Sequence, residues 1–442
     1  MKKDLYFPYF ENKKVTVLGL GLLGRGIGDT RFLAMNNAEI IVTDKKTEEQ
    51  LASSVSELKD FQNIKYVLGE HRLEDFQNRD FILKAAGVPT DSEYIQCAKE
   101  NNIPVYMSAA LMCDIVMREL PQVVIIGITG TRGKSTVTEL IAYILRENGS
   151  RVHLGGNIRG VANLPLLDVI EDGDFLILEL DSWQLQGFGD MKISPHIAVF
   201  TSFLDDHMNY YKNDKELYFA DKANIYRNQH SGDVLIASAQ AVGEILIRER
   251  VSVIVPEKKD FEMNLIGEHN KVAAGLAYEV AAQCGLDDES IRGAIKTFKA
   301  VDGRLQDMGL FKNNVIVFND NNGTTEDATI VAINSIFEKF DKKPILIVGG
   351  GDKGLPINEL EKIIQEKTKA VVYLSGAGTD RISIKKEYEY EKLSDCIVKA
   401  FELSEEGDII LFSPAFASFS KYFNNEYERN DTFVKEVEKF RK

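Results

Sequence analysis

The sequence predicts an α/β protein of three domains, and three observations predict it. Its 442 residues correspond to about three domains at roughly 150 residues each. Short apolar runs alternate with helical stretches along the chain, the pattern of mostly parallel sheets covered by helices. The runs end in Gly, Asp, Ser or Thr, the side of an open α/β sheet where ligands bind.

Each domain has its own strand set. "KVTVLGLG", "AEIIVTD", "DFILKAAG" and "IPVYMS" supply the strands of a first domain, residues 1–119. "RELPQ" at 118–122 reads as the connection to a second domain, 120–301, with strands in "VVIIG", "RVHLGG", "DFLILEL" and "HIAVFTSF". A third domain, 302–442, opens near "DGRLQDMG" and carries "NVIVFND", "PILIVGGG", "AVVYLSG" and "DIILFSP".

Composition excludes several function classes. A net charge of -15 opposes a surface that tracks phosphates, so no nucleic-acid partner is expected. The apolar runs have strand length, so neither a membrane span nor a membrane partner is expected. The N-terminus lacks the apolar run of a secretory signal. Cys97, Cys113, Cys284 and Cys396 share no metal-type spacing. They read as reduced thiols, and a cytoplasmic protein is expected.

The most informative stretch is "GITGTRGKST", residues 127–136. An apolar run precedes it, and a helical pattern follows in which Val137, Leu140, Ile141, Ile144 and Leu145 share one face. The loop therefore sits at a helix N-terminus, where free N–H groups and the helix dipole attract phosphate. Gly130 and Gly133 let the backbone approach an anion. Lys134 can reach the outer phosphates, and Ser135 or Thr136 can ligate magnesium. A nucleoside triphosphate is the implied ligand.

An earlier loop, "GLGLLG", spaces Gly19, Gly21 and Gly24 after a strand, and Asp44 closes the next strand. This fits the dinucleotide fingerprint, in which the acid takes a ribose hydroxyl. A dehydrogenase stays open on this motif alone. The same geometry suits any ribose–diphosphate ligand, and a second nucleotide site follows downstream. The combination fits an enzyme that joins two nucleotide-bearing molecules better than one that transfers hydride.

Glu179 ends "DFLILEL", where an acid beside a phosphate loop is placed to hold magnesium directly or through water. "FTSFLDDHMNYY" puts Asp205, Asp206 and His207 past another strand; for the acids, a helix N-cap is an equal alternative. Lys222, in the helical "ELYFADKANIYRNQ", reads on its own as a solvated side chain.

In chain order, "GLGLLG", "GITGTRGKST", "GGNI", "LELDSWQLQ", "DDHMNYY", "DKANI", "GEHN", "GR", "FND", "GGGDKG" and "SPAFASF" run as they do in the Mur ligases. The chain resembles that family over nearly its whole length, most of all its D-glutamate-adding branch. The resemblance implies an α/β fold of three domains: an N-terminal Rossmann-like domain for a UDP-linked substrate, a central P-loop ATPase domain and a C-terminal Rossmann-like domain for an amino acid. It implies ATP and Mg2+ as cofactors. The expected substrates are a UDP-linked sugar–amino-acid, UDP-N-acetylmuramoyl-L-alanine, and a free amino acid, D-glutamate first. A monomer is expected, with the third domain closing over a reactive acyl phosphate.

The resemblance also implies residue roles. Lys134, Lys222 and His207 would serve catalysis, with Lys222 carbamylated to give magnesium an oxygen ligand where a cation would repel it. Ser135, Glu179, His207 and Lys222 would hold the metal. Gly130, Thr131, Gly133, Lys134, Ser135 and Thr136 would cradle ATP, with Asn270 and Asp320 at the adenosine and Arg304 at the phosphates. Leu22, Leu23, Asp44, Lys45, Gly87, Asn157 and Gln184 would contact the UDP-linked substrate. Lys353, Ser418 and Phe419 would form the amino-acid pocket.

Departures from the family pattern are Arg132 for Asn, Ala273 for Asn, Gly303 for His, Gln306 for Glu, Asn322 for Lys and Ser420 for Asp. They gather on the ATP side and in the third domain, so another acidic amino acid, another nucleotide-linked acceptor or a regulator without catalysis stays open. A folylpolyglutamate synthase would share the ATPase chemistry but place its phosphate loop near the N-terminus.

Overall fold

The computed structural model describes residues 1–22, 24–418, 422–423 and 425–441. The chain forms two compact units, Met1–Lys258 with Gly275–Ile291, and Lys259–Ala274 with Arg292–Lys442.

The first unit holds two five-stranded sheets, both wholly parallel. The first comprises β1 (Lys14–Leu18), β2 (Glu39–Asp44), β3 (Ile64–Leu68), β4 (Phe81–Lys84) and β5 (Val105–Tyr106), in the order β3-β2-β1-β4-β5. The second comprises β6 (Val124–Thr129), β7 (Val152–Gly156), β8 (Phe175–Glu179), β9 (Ile197–Phe200) and β10 (Val234–Ala237), in the order β10-β9-β6-β8-β7. The central strands β1 and β6 are buried on both faces, which is why they read as continuous apolar runs.

One core serves both sheets. The helix Ser108–Glu119 contributes Ala109, Met112, Cys113, Ile115 and Val116 to a cluster that includes Val15 and Leu83 from one sheet and Leu176 and Leu178 from the other. "SAALMCDIVM" is apolar nearly all round, as a helix covered on several sides must be. Polar contacts reinforce this joint. In the helix Arg25–Met35, Asp29 Oδ1 accepts the Leu164 N–H at 2.9 Å, and burial raises its carboxyl to about 6. A Cβ on Gly28 would lie 2.5 Å from Ala162 Cβ, so the backbones meet there without room for a side chain.

The second unit contains β11 (Gln306–Leu310), β12 (Ile316–Asn319), β13 (Ile345–Gly349), β14 (Ala370–Leu374), β15 (Glu389–Tyr390) and β16 (Ile409–Phe412), in the order β11-β12-β16-β13-β14-β15. Only β11 is antiparallel to its neighbour. Alternate residues feed two cores: Ile345, Ile347 and Ile410 on one face, Leu346, Val348 and Leu411 on the other. Among the described residues, no helix is long and apolar enough to cross a membrane.

Candidate active site

β6 runs into Gly130, whose φ of +144° and missing side chain are both required. A Cβ there would meet Thr201 Oγ1 at 2.0 Å. The loop is then fastened to the segment after β9. The Thr131 N–H donates to Ser202 O at 2.7 Å, the Arg132 N–H to Ser202 Oγ at 2.8 Å, and Thr201 Oγ1 to Arg132 O at 2.6 Å. Gly133, at φ +86°, opens the helix Lys134–Glu147. Val137, Leu140, Ile141, Ile144 and Leu145 of that helix are buried together, so the face read from the sequence is the face that packs.

Two lysines meet on this loop. Lys134 Nζ donates to Gly130 O at 3.0 Å, and Lys222 Nζ, from the helix Lys215–Ala223, donates to the same oxygen at 2.9 Å. The solvated reading of Lys222 is corrected here, because only 2% of the residue is exposed. Its helix turns it towards the loop, with Nζ 4.9 Å from the centre of the Tyr218 ring. Burial, and then the positive charge of Lys134, hold its pKa well below that of a free lysine. The site therefore shifts this lysine towards the neutral amine.

The register β6–β8 pairs Ile128 with Glu179, so this buried acid ends its strand beside the start of the loop. Ser135 is the second residue of the loop's helix. His207 lies beyond β9 in a left-handed conformation, φ +56°, with its ring 4.7 Å from that of Trp183. Desolvation holds the imidazole below its ordinary pKa, and the two lysines add to this against the opposing charge of Asp206. Trp183 Nε1 is buried and without a partner among the described residues. Among the described residues, no three His, Cys, Asp or Glu side chains form a metal-binding group. An ion at this edge would need other oxygen donors, which a carbamate on Lys222 and the Ser135 hydroxyl would supply.

The N-cap alternative for Asp205 and Asp206 is also corrected. Asp214 caps the helix that carries Lys222, while Asp205 pairs with Lys215 at 3.1 Å. Asp206 pairs with Arg132 at 2.8 Å. The extra positive charge of Arg132 is thereby matched by a carboxylate.

On the first sheet, Asp44 is turned inward. Its Oδ2 accepts the N–H groups of Leu20 at 3.0 Å and Gly21 at 3.2 Å, and its Oδ1 that of Lys46 at 2.9 Å. The fingerprint acid thus shapes the glycine loop. Leu22, Lys45 and Gly87 are exposed. Asn157 follows β7, and its Oδ1 accepts from Arg25 at 2.7 Å. Gln184 is engaged in a reciprocal cap with Asp181 at the start of the helix Ser182–Met191.

In the second unit, Asp320 is buried. Its Oδ1 accepts the Leu305 N–H at 3.1 Å and its Oδ2 the Ser413 hydroxyl at 2.7 Å, and burial pushes its pKa up to about 7. Arg304 directly precedes Leu305, and Asn270 is buried with its amide on Ile266 O at 2.8 Å. Lys353 Nζ donates to Thr324 Oγ1 at 2.8 Å, and Ser418 is buried just past the bridge between Gly351 and Ala417. Leu23, Phe419 and Ser420 lie outside the described residues.

Sequence reasoning missed Arg25 and Arg429. Arg429 is fully buried; it donates to Asn321 Oδ1 at 2.9 Å, Asn321 O at 2.8 Å and Phe416 O at 3.2 Å. It ties the loop after β12 to the loop after β16. An arginine in "YERNDTF" carries no signal of such burial.

Comparison with known proteins agrees with this arrangement. The model of the Mur ligase middle domain matches residues 128–254, and that of the Mur ligase MurD-like N-terminal domain matches residues 13–107. The UDP-N-acetylmuramoylalanine–D-glutamate ligase of Borreliella afzelii (strain PKo) is 34% identical over 97% of this chain and 98% of its own. The ligase of the same name from Streptococcus agalactiae serotype III (strain NEM316) is 33% identical over 98% of each chain. The crystal structure of the UDP-N-acetylmuramate–alanine ligase of Thermotoga maritima shares the fold, with a TM-score of 0.62 at 18% identity over 97% of this chain and 99% of that one. The chain belongs to the Mur ligase family, whose members are ATP-dependent amide ligases.

Proposed function

We propose that this ligase joins D-glutamate to UDP-N-acetylmuramoyl-L-alanine, a step of peptidoglycan precursor synthesis in the cytoplasm. The observation that carries the reading is the phosphate loop whose Gly130 carbonyl receives both Lys134 and Lys222. In this reading the chain comprises a UDP-substrate-binding domain, 1–119, a central ATPase domain, 120–301, and an amino-acid-binding domain, 302–442.

A free carboxylate does not exchange its oxygen for an amine at a useful rate. One carboxylate oxygen of the alanyl group attacks the γ-phosphorus of ATP, ADP leaves, and an acyl phosphate forms. The amine of the amino acid then attacks the acyl carbon. The tetrahedral intermediate collapses to the amide, inorganic phosphate leaves and the amine's proton is released. Lys134 neutralises charge on the transferring phosphoryl group, and the pinned loop aligns it. Ser135, Glu179, His207 and a carbamylated Lys222 would hold Mg2+, which when bound polarises phosphate oxygens.

The neutral amine, towards which burial shifts Lys222, is the form that adds carbon dioxide, with one proton released to solvent. The resulting carbamate keeps one N–H, which can still donate to Gly130 O, and gains two oxygens for a hard cation. On the substrate side, the Asn157 oxygen is taken by Arg25. The residue therefore offers N–H donors to an acceptor on the sugar–peptide. Leu22, Lys45 and Gly87 meet the UDP portion; Asn270, Arg304 and Asp320 serve ATP; Lys353 and Ser418 receive the amino acid's carboxylates. The assignment is tested by phosphate release from ATP with UDP-N-acetylmuramoyl-L-alanine across a panel of D- and L-amino acids. Release with D-glutamate above all others supports it, and preference for a neutral or basic amino acid overturns it.

A further inference from the structure

Lys84 ends β4, but its side chain does not reach solvent: the residue is 4% exposed. Nζ donates to the carbonyls of Ala85 at 3.3 Å, Ala86 at 3.4 Å and Val88 at 2.7 Å. Three carbonyls of one short turn thus converge on one ammonium. In a planar trans peptide the C=O and the following N–H point in opposite directions. With the carbonyls of Ala85 and Ala86 facing Nζ, the N–H groups of Ala86 and Gly87 face away from it. Neither has a partner among the described residues.

This turn lies against the glycine loop, since a Cβ on Gly19 would come within 3.0 Å of Ala85 Cβ. In the glycine loop, the amides of Leu20 and Gly21 are already taken by Asp44. The neighbouring turn supplies donors where those are spent. Successive outward amides form an anion-binding nest.

We propose that Lys84 is a positioning residue for the UDP-linked substrate: by gathering the carbonyls of Ala85, Ala86 and Val88, it aims the amides of Ala86 and Gly87 at the diphosphate. The inference rests on the reading that the first sheet binds UDP. The charges that face Lys84 are Asp190, Asp181 and Asp221 from the second sheet's layer and Lys99 from its own, and burial lowers its pKa to about 8. Above that pH the ammonium loses its charge, and charge-assisted hydrogen bonds are about twice as strong as neutral ones.

The test is calorimetric titration of UDP into the full-length protein and into Lys84→Met, with ATP titrated into both as a control. About tenfold weaker UDP binding is expected in the variant, the loss of one such interaction, with ATP affinity and melting temperature kept. A folded Lys84→Met that binds UDP as the parent does overturns the inference, whereas a parent that fails to bind UDP removes the underlying reading instead. If the variant does not fold, a pH series on the parent decides. UDP affinity should fall severalfold between about pH 7 and 9; a flat profile overturns the proposal.

Discussion

Lys134 and Lys222 donate to one oxygen, the carbonyl of Gly130, at 3.0 and 2.9 Å. Burial, and then the positive charge of Lys134, hold the Lys222 amine well below the ordinary lysine range. The phosphate cradle and the reactive amine are therefore one arrangement.

Replacing Lys134 removes charge stabilisation from phosphoryl transfer and also relieves Lys222 of the positive charge that acts on it most strongly. Lys134→Ala is expected to lower kcat for ATP-dependent ligation by about 100- to 1,000-fold, with an unchanged circular dichroism spectrum and melting temperature. Near-normal turnover would remove this loop as the ATP site.

Lys222→Ala is expected to be nearly inactive, because the metal site loses an anionic oxygen ligand. Short carboxylic acids should restore part of the activity by occupying the vacated volume. The parent should gain activity with added bicarbonate after exhaustive degassing. Full activity in carbon dioxide-free buffer would count against the carbamate.

Gly130→Ala places a methyl group at a φ of +144° and 2.0 Å from Thr201 Oγ1. Backbone strain and overpacking together should cost about 2 to 5 kcal/mol. Thermal denaturation should show a lower midpoint, accompanied by loss of ATP binding; an unchanged midpoint would mean the loop has slack that the structure lacks.

Asp29 is an acid whose folded pKa, pushed by burial to about 6, lies above its ordinary value of 3.8. Between those values the folded form holds more protons than the unfolded one. Stability from this group is therefore fully present below about pH 4 and is lost as pH rises through about 6, in total about 3 kcal/mol. Asp29→Asn removes the titration. The stability difference between parent and variant, from denaturant unfolding at pH 4 to 7, should drift by that amount; a difference that stays constant with pH would refute the assignment.

Much of this was legible in the sequence, for physical reasons. Strands such as "VVIIG" and "PILIVGGG" are covered on both faces, so their apolar runs are unbroken. The strands not foreseen, β3, β10, β11 and β15, all lie at sheet edges. They are either half-exposed or only a few residues long, which blurs the pattern. The phosphate loop was legible because a strand, two glycines and a helix must coincide to make one. Lys84, Arg25, Asp29 and Arg429 were not, because a single charged residue reads as solvated until tertiary structure buries it. Asp44 was found but in part for another role, since sequence spacing cannot show that its oxygens turn back onto the amides of Leu20 and Gly21.

The central claim is that the pinned loop and its two lysines activate a carboxylate as an acyl phosphate. The most direct measurement labels both carboxylate oxygens of the alanyl group of UDP-N-acetylmuramoyl-L-alanine with oxygen-18 and analyses the released phosphate by mass spectrometry. In the presence of ATP and D-glutamate, each phosphate should carry one labelled oxygen, transferred when the carboxylate attacks the γ-phosphorus and retained when the amine displaces it. Amide formation with unlabelled phosphate would contradict the account.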